Sequence, residues 1–183
     1  MAPRRSRDDY FAAAMQILEV SGFPALSASA LCDHMGLTRG AFYHHFESFD
    51  DFVDGVLGHW ENRYSRTLIT ESADLQDLSA MLRLQTQMAI SLPHRAEVAL
   101  RARGTINPRV AAAQKRVDQL RLDGLTRSLI DHGVSPATAT VYAEIALTAL
   151  VGAQMSGTTA DRMLAMYDEL GGFLITRATD IAV

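Results

Sequence analysis

The sequence predicts an all-α protein, and three observations predict it. Apolar residues recur at helical spacing along most of the chain. Strand-like alternation is absent throughout the 183 residues. Caps and breakers mark short helices first and longer ones afterwards.

The elements follow in order. Ser6 with Asp9 three residues on is a capping-box-like pair, and it opens a helix that carries Phe11, Ala14, Met15 and Leu18 and stops at Gly22. "FPAL" is a connector, and Ser27 caps a second helix to about residue 34. "MGLT" is a turn, and Thr38 caps a third helix to about residue 46. A longer helix over 49–70 carries Phe52, Val53, Val56, Trp60 and Tyr64. A fifth runs to about residue 92, where Pro93 starts a new segment. Asn107 before Pro108 is a cap followed by proline at the first helical position, and that helix runs to Gly133. Ser135 and Pro136 repeat the device for a helix over 136–155, whose one charge is Glu144. A helix apolar nearly all round wants burial on most sides. A final helix spans 160–179. The chain thus reads as three short helices and then six or so longer ones, with a boundary that gives 1–48 and 49–183.

Composition narrows the classes. Hydrophobic residues are 48% and charged residues 21%, which is globular rather than disordered. Cys32 is the only cysteine, so no intrachain disulfide forms. The basic start "MAPRRSRDDY" is not followed by an apolar signal segment. The least polar window, 138–155, contains Glu144 and is short for a membrane span. The expected location is cytoplasmic. A net charge of −4 argues against generic coating of nucleic acid, but not against a local binding surface.

The stretch "LCDHMGLTRGAFYHHF" concentrates the functional signal. At about 100° per residue, Phe42 and Phe46 share one face of the third helix, which is the buried one. Gly40 and His44 lie opposite. Arg39 with Tyr43, and Ala41 with His45, form the flanks. The outer side therefore offers a cation, a small gap, a phenol and an imidazole. Gly40 and Ala41 let a partner approach the backbone. Thr38 places a hydroxyl at the helix start, where a phosphate is favoured. A helix, a tight turn at Gly36 and a second helix make a helix-turn-helix arrangement suited to DNA. The plainer alternative is a short amphipathic helix that simply packs.

"ALSASALCDHMGLTRGAFYHHFESFDDFVDGVL" resembles the DNA-binding module of the tetracycline-repressor (TetR) family of bacterial regulators. The resemblance covers about the first quarter of the chain. It implies a fold with an N-terminal three-helix helix-turn-helix module over 1–48. A helical effector-binding and dimerisation domain would follow over 49–183. It implies phosphate contacts by Thr38 and Tyr43. Arg39, Gly40 and Ala41 would face base edges, with Arg39 suited to bidentate guanine reading. His44 would touch backbone or bases, Ser27 would belong to the DNA surface, and Arg4, Arg5 and Arg7 would form a basic arm. It further implies a homodimer through the helices near 136–155 and 160–179, a double-stranded DNA operator and a small-molecule effector. Trp60, Tyr64, Met81, Gln85 and Met88 lie on helices that would surround the effector; methionine and aromatic stripes at this spacing are also ordinary core. Two features depart from the family. Phe49 stands where many members have a phosphate-binding lysine. Within 1–46 the four arginines 4, 5, 7 and 39 are balanced by Asp8, Asp9, Glu19 and Asp33. A neutral head makes fewer phosphate contacts and has a shallower salt dependence. This motivates an alternative: an all-helical small-molecule-binding or interaction protein that has lost DNA binding.

The remaining polar residues point nowhere else. The six histidines form no ligand pattern and no Glu-x-x-His occurs, so no metal and no cofactor is expected. No nucleophile motif, phosphate loop or dinucleotide fingerprint is present, so the chain is not read as an enzyme. Glu71 and Glu97 read as solvated or capping charges. For Glu144 an arginine partner is the expectation.

Overall fold

The computed structural model describes residues 5–63, 75 and 77–180. Among these residues every regular element is helical. Helix α1 (Arg7–Ser21) opens with the reciprocal box: Ser6 Oγ accepts from Asp9 N at 3.3 Å, and Asp9 Oδ2 accepts from Ser6 N at 2.8 Å. It ends at Gly22, whose φ of 74° is open to glycine and strained for most other residues. A short 3-10 turn (Phe23–Ala25) leads to α2 (Ala28–Met35). Next come α3 (Arg39–His45) and α4 (Phe49–Glu61), the latter capped by Ser48. Then follow α5 (Leu78–Ile90), α6 (His94–Gly104), α7 (Pro108–Asp131), α8 (Pro136–Ser156) and α9 (Ala160–Asp180). The expected caps are in place. Asn107 Oδ1 accepts from Arg109 N at 3.0 Å, and Ser135 Oγ from Thr138 N at 3.3 Å. Arg4, Tyr64, Glu71 and the expected continuation of α4 from 64 to 70 lie outside the described residues.

The chain forms two compact units. One holds α1–α4, α6 and α7 up to Lys115; the other holds α5, α7 from Arg116, α8 and α9. The first is centred on aromatic rings. Tyr10, Phe42, Phe46, Phe52 and Trp60 are all essentially buried there. Glu97 corrects its sequence reading, because it is a fully buried carboxylate and not a solvated one. It accepts from Trp60 Nε1 at 3.0 Å. A hydrogen bond from a group 37 positions away leaves no mark on local spacing. Helix α6 begins at Pro93 without a side-chain cap of its own. Glu19 of α1 supplies the acceptor, taking Ala96 N–H at 2.7 Å.

The second unit is mainly aliphatic. Met81, Leu82, Leu129, Val134, Ala139 and Leu174 form one cluster; Leu92, Leu150, Ala153 and Met163 form another. Helix α8 is less covered than its composition predicts, with 33% of its most apolar stretch buried. By length and composition alone it is long and apolar enough to cross a membrane. Val141, Ile145 and Met155 stand exposed on it, as do Met166 and Phe173 on α9. Glu144 is exposed too, and no arginine pairs with it among the described residues.

Candidate nucleic-acid interface

The turn before α3 is fixed by local chemistry. Gly36 adopts φ 65° and ends α2. Leu37 N donates to Cys32 O at 2.9 Å, and the Cys32 thiol donates to Thr38 O at 3.5 Å. Burial pushes the Cys32 thiol above its ordinary range, so it stays a neutral donor at the turn. Thr38 Oγ1 accepts from Ala41 N at 3.3 Å and caps α3.

Phe42 and Phe46 turn inward, at 0% and 1% exposure. Their rings are 5.1 Å apart, and both contact Phe52 of α4, at 5.3 and 5.0 Å. Tyr10 of α1 meets the same pair edge-on at 6.1 and 5.4 Å. Aromatic rings in these arrangements give α3 a defined seat. Arg39, Gly40, Tyr43 and His44 then face outward, with Tyr43 at 54% exposure. Ala41 and His45 are half-buried on the flank. At Gly40 a Cβ atom would meet only Thr38 Oγ1, at 3.8 Å, so the chain's own packing does not require glycine there.

The basic residues of the first helix divide. Arg5 is exposed. Arg7 is held on the protein: Nη1 donates to His45 O at 3.1 Å, at the last residue of α3. Its Nη2 lies 3.6 Å from Asp51 Oδ1, and the guanidinium sits 4.5 Å above the Phe46 ring. Arg7 thus ties α1, the end of α3 and the start of α4 together. No local signal distinguished it from Arg5. Ser27 spends its hydroxyl oxygen on Ala30 N, at 3.1 Å, and remains exposed.

The second unit contains a cavity of about 90 Å³. Leu82, Leu92, Leu125, Leu147 and Leu150 supply apolar wall, and Gln85, Thr86, Arg121, Tyr142 and Tyr167 supply polar atoms. Of the expected effector residues, Gln85 and Met88 line it. Trp60 does not; it belongs to the first unit and is engaged with Glu97. Met81 is fully buried core. Tyr167 donates its hydroxyl to Ala146 O at 3.0 Å. Burial pushes the phenol of Tyr142 up to about 12, and that of Tyr167 higher still. Sequence reasoning missed Thr86, Arg121 and Tyr142, because helical spacing marks a buried face without marking a void in it. Among the described residues no group of three or more histidine, cysteine or acidic side chains is placed to hold a metal ion.

Comparison with known proteins adds to this geometry. Residues 11–56 match the profile of bacterial regulatory proteins of the tetR family. A transcriptional regulator from Rhodococcus sp. Rha1 superposes with a TM-score of 0.78 at 18% identity, over 94% of this chain and 97% of that one. A TetR-family regulator from Agrobacterium tumefaciens gives 0.78 at 19%, over 92% and 96%. A TetR transcription regulator from Haloarcula marismortui gives 0.74 at 17%, over 92% and 97%. No curated protein sequence matches.

Proposed function

On the premise that residues 11–56 are a TetR-family helix-turn-helix module and that the chain has that family's fold, we propose a DNA-binding transcriptional regulator. It works in the cytoplasm as a homodimer, represses at a palindromic operator and is released by a small, mostly apolar effector. It catalyses no chemistry.

The observation that carries the reading is the outer side of α3, where Arg39, Gly40, Tyr43 and His44 are exposed above a seated phenylalanine pair. Arg39 reads a base edge, Gly40 and Ala41 admit the groove wall, and Thr38, Tyr43 and His44 meet the backbone. Arg5 and Ser27 sit on the same module as further backbone contacts. The division into a reading head over 1–48 and a controlling region over 49–183 belongs to this proposal. The uncovered apolar side chains of α8 and α9 support pairing with their two-fold mates as a four-helix bundle, since dimer interfaces are apolar at the centre. Two-fold symmetry places two reading helices roughly 34–36 Å apart, one turn of DNA. An effector acts only through its different affinity for the DNA-competent and incompetent states.

A gel shift against the DNA flanking the protein's own gene, at two salt concentrations, tests the proposal. Specific retardation that weakens with salt supports it. No binding at low salt removes it. The neutral head and Phe49 then favour the alternative, a helical small-molecule binder that has lost DNA binding.

A further inference from the structure

We infer that Arg7 is a positioning residue for DNA reading. It holds the carboxyl end of α3 against the first turn of α4, and so sets the angle at which Arg39 and Tyr43 meet a groove. The inference rests on the DNA-reading proposal for α3, and it gives Arg7 a role inside the head instead of on a phosphate.

Three observations lead there. First, Arg7 joins both sides of the connector between α3 and α4. Its Nη1 donates to His45 O at 3.1 Å, and its Nη2 lies 3.6 Å from Asp51 Oδ1. The other oxygen of Asp51 accepts from Glu47 N at 3.1 Å. The end of α3, a backbone N–H of the connector and the first turn of α4 are thereby closed into one circuit through a single guanidinium. A helix end leaves its final carbonyls without intrahelical partners, and a cation there also answers the helix dipole. Second, the guanidinium is itself aimed. It lies 4.5 Å from the centre of the Phe46 ring and 5.9 Å from that of Phe11. Phe46 closes α3, so stacking holds the fork over the turn that it bonds. Third, α4 approaches α1 closely on the same side. A Cβ atom at Gly55 would stand 2.6 Å from Phe11 Cε1 and Cζ, and 3.6 Å from Arg7 Nη2. The Phe11 ring is packed against Phe46 and Phe52 and has no room to give way. Gly55 lies one turn after Asp51 on the same face of α4, so its bareness lets Asp51 reach Arg7.

Magnitude decides what such a residue can do. The Arg7 and Asp51 side chains keep 47% and 37% of their surface exposed, and an ion pair so placed adds little stability. The phenylalanine seat supplies the folding energy, and Arg7 supplies direction. Base contacts depend on direction more than phosphate contacts do, so a tilted α3 loses selectivity before general affinity. Two substitutions separate this role from a phosphate contact. Lysine serves a phosphate as a point charge, but it cannot bridge two acceptors as a planar fork does. Removing the negative charge of Asp51 strengthens DNA binding if charge alone matters, and weakens operator binding if Asp51 holds Arg7.

The test uses the full chain with two duplexes, the DNA flanking its own gene and a scrambled duplex of equal length. Wild type, Arg7→Gln, Arg7→Lys, Asp51→Asn and the double variant Arg7→Gln with Asp51→Asn are compared well below their melting temperatures. Each single variant binds the operator about tenfold more weakly and the scrambled duplex within about threefold of wild type. The double variant is no worse than either single one, because both act on one contact. Wild-type operator affinity in Arg7→Lys overturns the inference. So does a uniform loss on both duplexes with the salt slope of Arg7→Gln reduced by about one, which marks a phosphate contact. Tighter operator binding by Asp51→Asn, or additive losses in the double variant, overturns it too. Amide hydrogen exchange of the free proteins separates the inference from the reading beneath it. The amides of residues 42–46 exchange faster in every variant, and those of α5 do not. If wild type binds neither duplex, or both equally, the regulator reading falls and the exchange alone decides. Unchanged exchange at 42–46 removes Arg7 as a positioning residue, whatever wild type does with DNA.

Discussion

Around α3 the first unit gathers Tyr10, Phe11, Phe42, Phe46 and Phe52, with ring centroids 5.0 to 6.1 Å apart. The second unit packs leucine, alanine and methionine, holds a half-open pocket of about 90 Å³ and leaves apolar side chains of α8 and α9 uncovered. Large rings in contact fix the direction of a seven-residue helix that could not hold itself in place. A void and an open face do the opposite. The contrast fits the proposed division between a DNA-reading head that must be stiff and a controlling unit that must be able to yield.

The contrast can be broken most directly at its stiffest point. Phe42→Ala should cost about 3–5 kcal/mol in urea unfolding, because the surrounding rings cannot collapse into the space. Leu150→Ala, beside a void already present, should fall near the lower end of the usual range, about 2 kcal/mol. The reverse order would remove the distinction between the two cores. The open face comes next. In the proposed dimer, Val141→Glu with Ile145→Glu would place like charges opposite each other across the two-fold interface. Sedimentation should show association weakened on the order of a hundredfold, with helicity retained. Unchanged association would put the dimer elsewhere. Overpacking sharpens the comparison further. Ala14→Leu, fully buried in the first unit, should cost about 1–3 kcal/mol. Ala143→Leu points added methyls at the pocket that Ala143 lines and should cost less, under about 1 kcal/mol. Equal costs by thermal melts would mean the cavity is not available space.

The smallest effect is at the first cap. The Ser6 backbone N–H, and after it the Ser6 hydroxyl, hold the Asp9 carboxyl below its ordinary value of 3.8. A carboxylate with a lowered folded-state pKa stabilises the fold fully above the unfolded value and loses that contribution as pH falls through the folded one. Between about pH 5 and pH 3 the wild type should lose slightly more melting temperature than Asp9→Asn. Parallel losses would show that the box contributes nothing measurable.

Local chemistry was legible in the sequence, and contacts between distant residues were not. Ser6, Ser27, Thr38, Asn107 and Ser135 announce helix starts because a cap acts within three residues. The inward phenylalanines of α3 follow from period alone. By contrast, Glu97 with Trp60, Glu19 with Ala96 N and Arg7 with His45 O join positions 37, 77 and 38 apart. Nothing in the spacing of either partner announces them. Helix α8 was expected to be covered because apolar residues surround it, yet composition cannot say whether the cover comes from the same chain. Gln85 and Met88 line the cavity while Met81 fills core on the same helix α5. Arg121 lies in an arginine-rich stretch with Arg116 and Arg127, where only the fold separates it from its neighbours.

The most direct test of the account is the affinity of wild type, Tyr43→Ala and Arg39→Ala for the operator and for a scrambled duplex of equal length. Tyr43→Ala should weaken binding to both. Arg39→Ala should lose about 1–3 kcal/mol on the operator and far less on the scrambled duplex, with its melting temperature unchanged. Equal operator affinity in wild type and Arg39→Ala would contradict the claim that the outer face of α3 reads DNA.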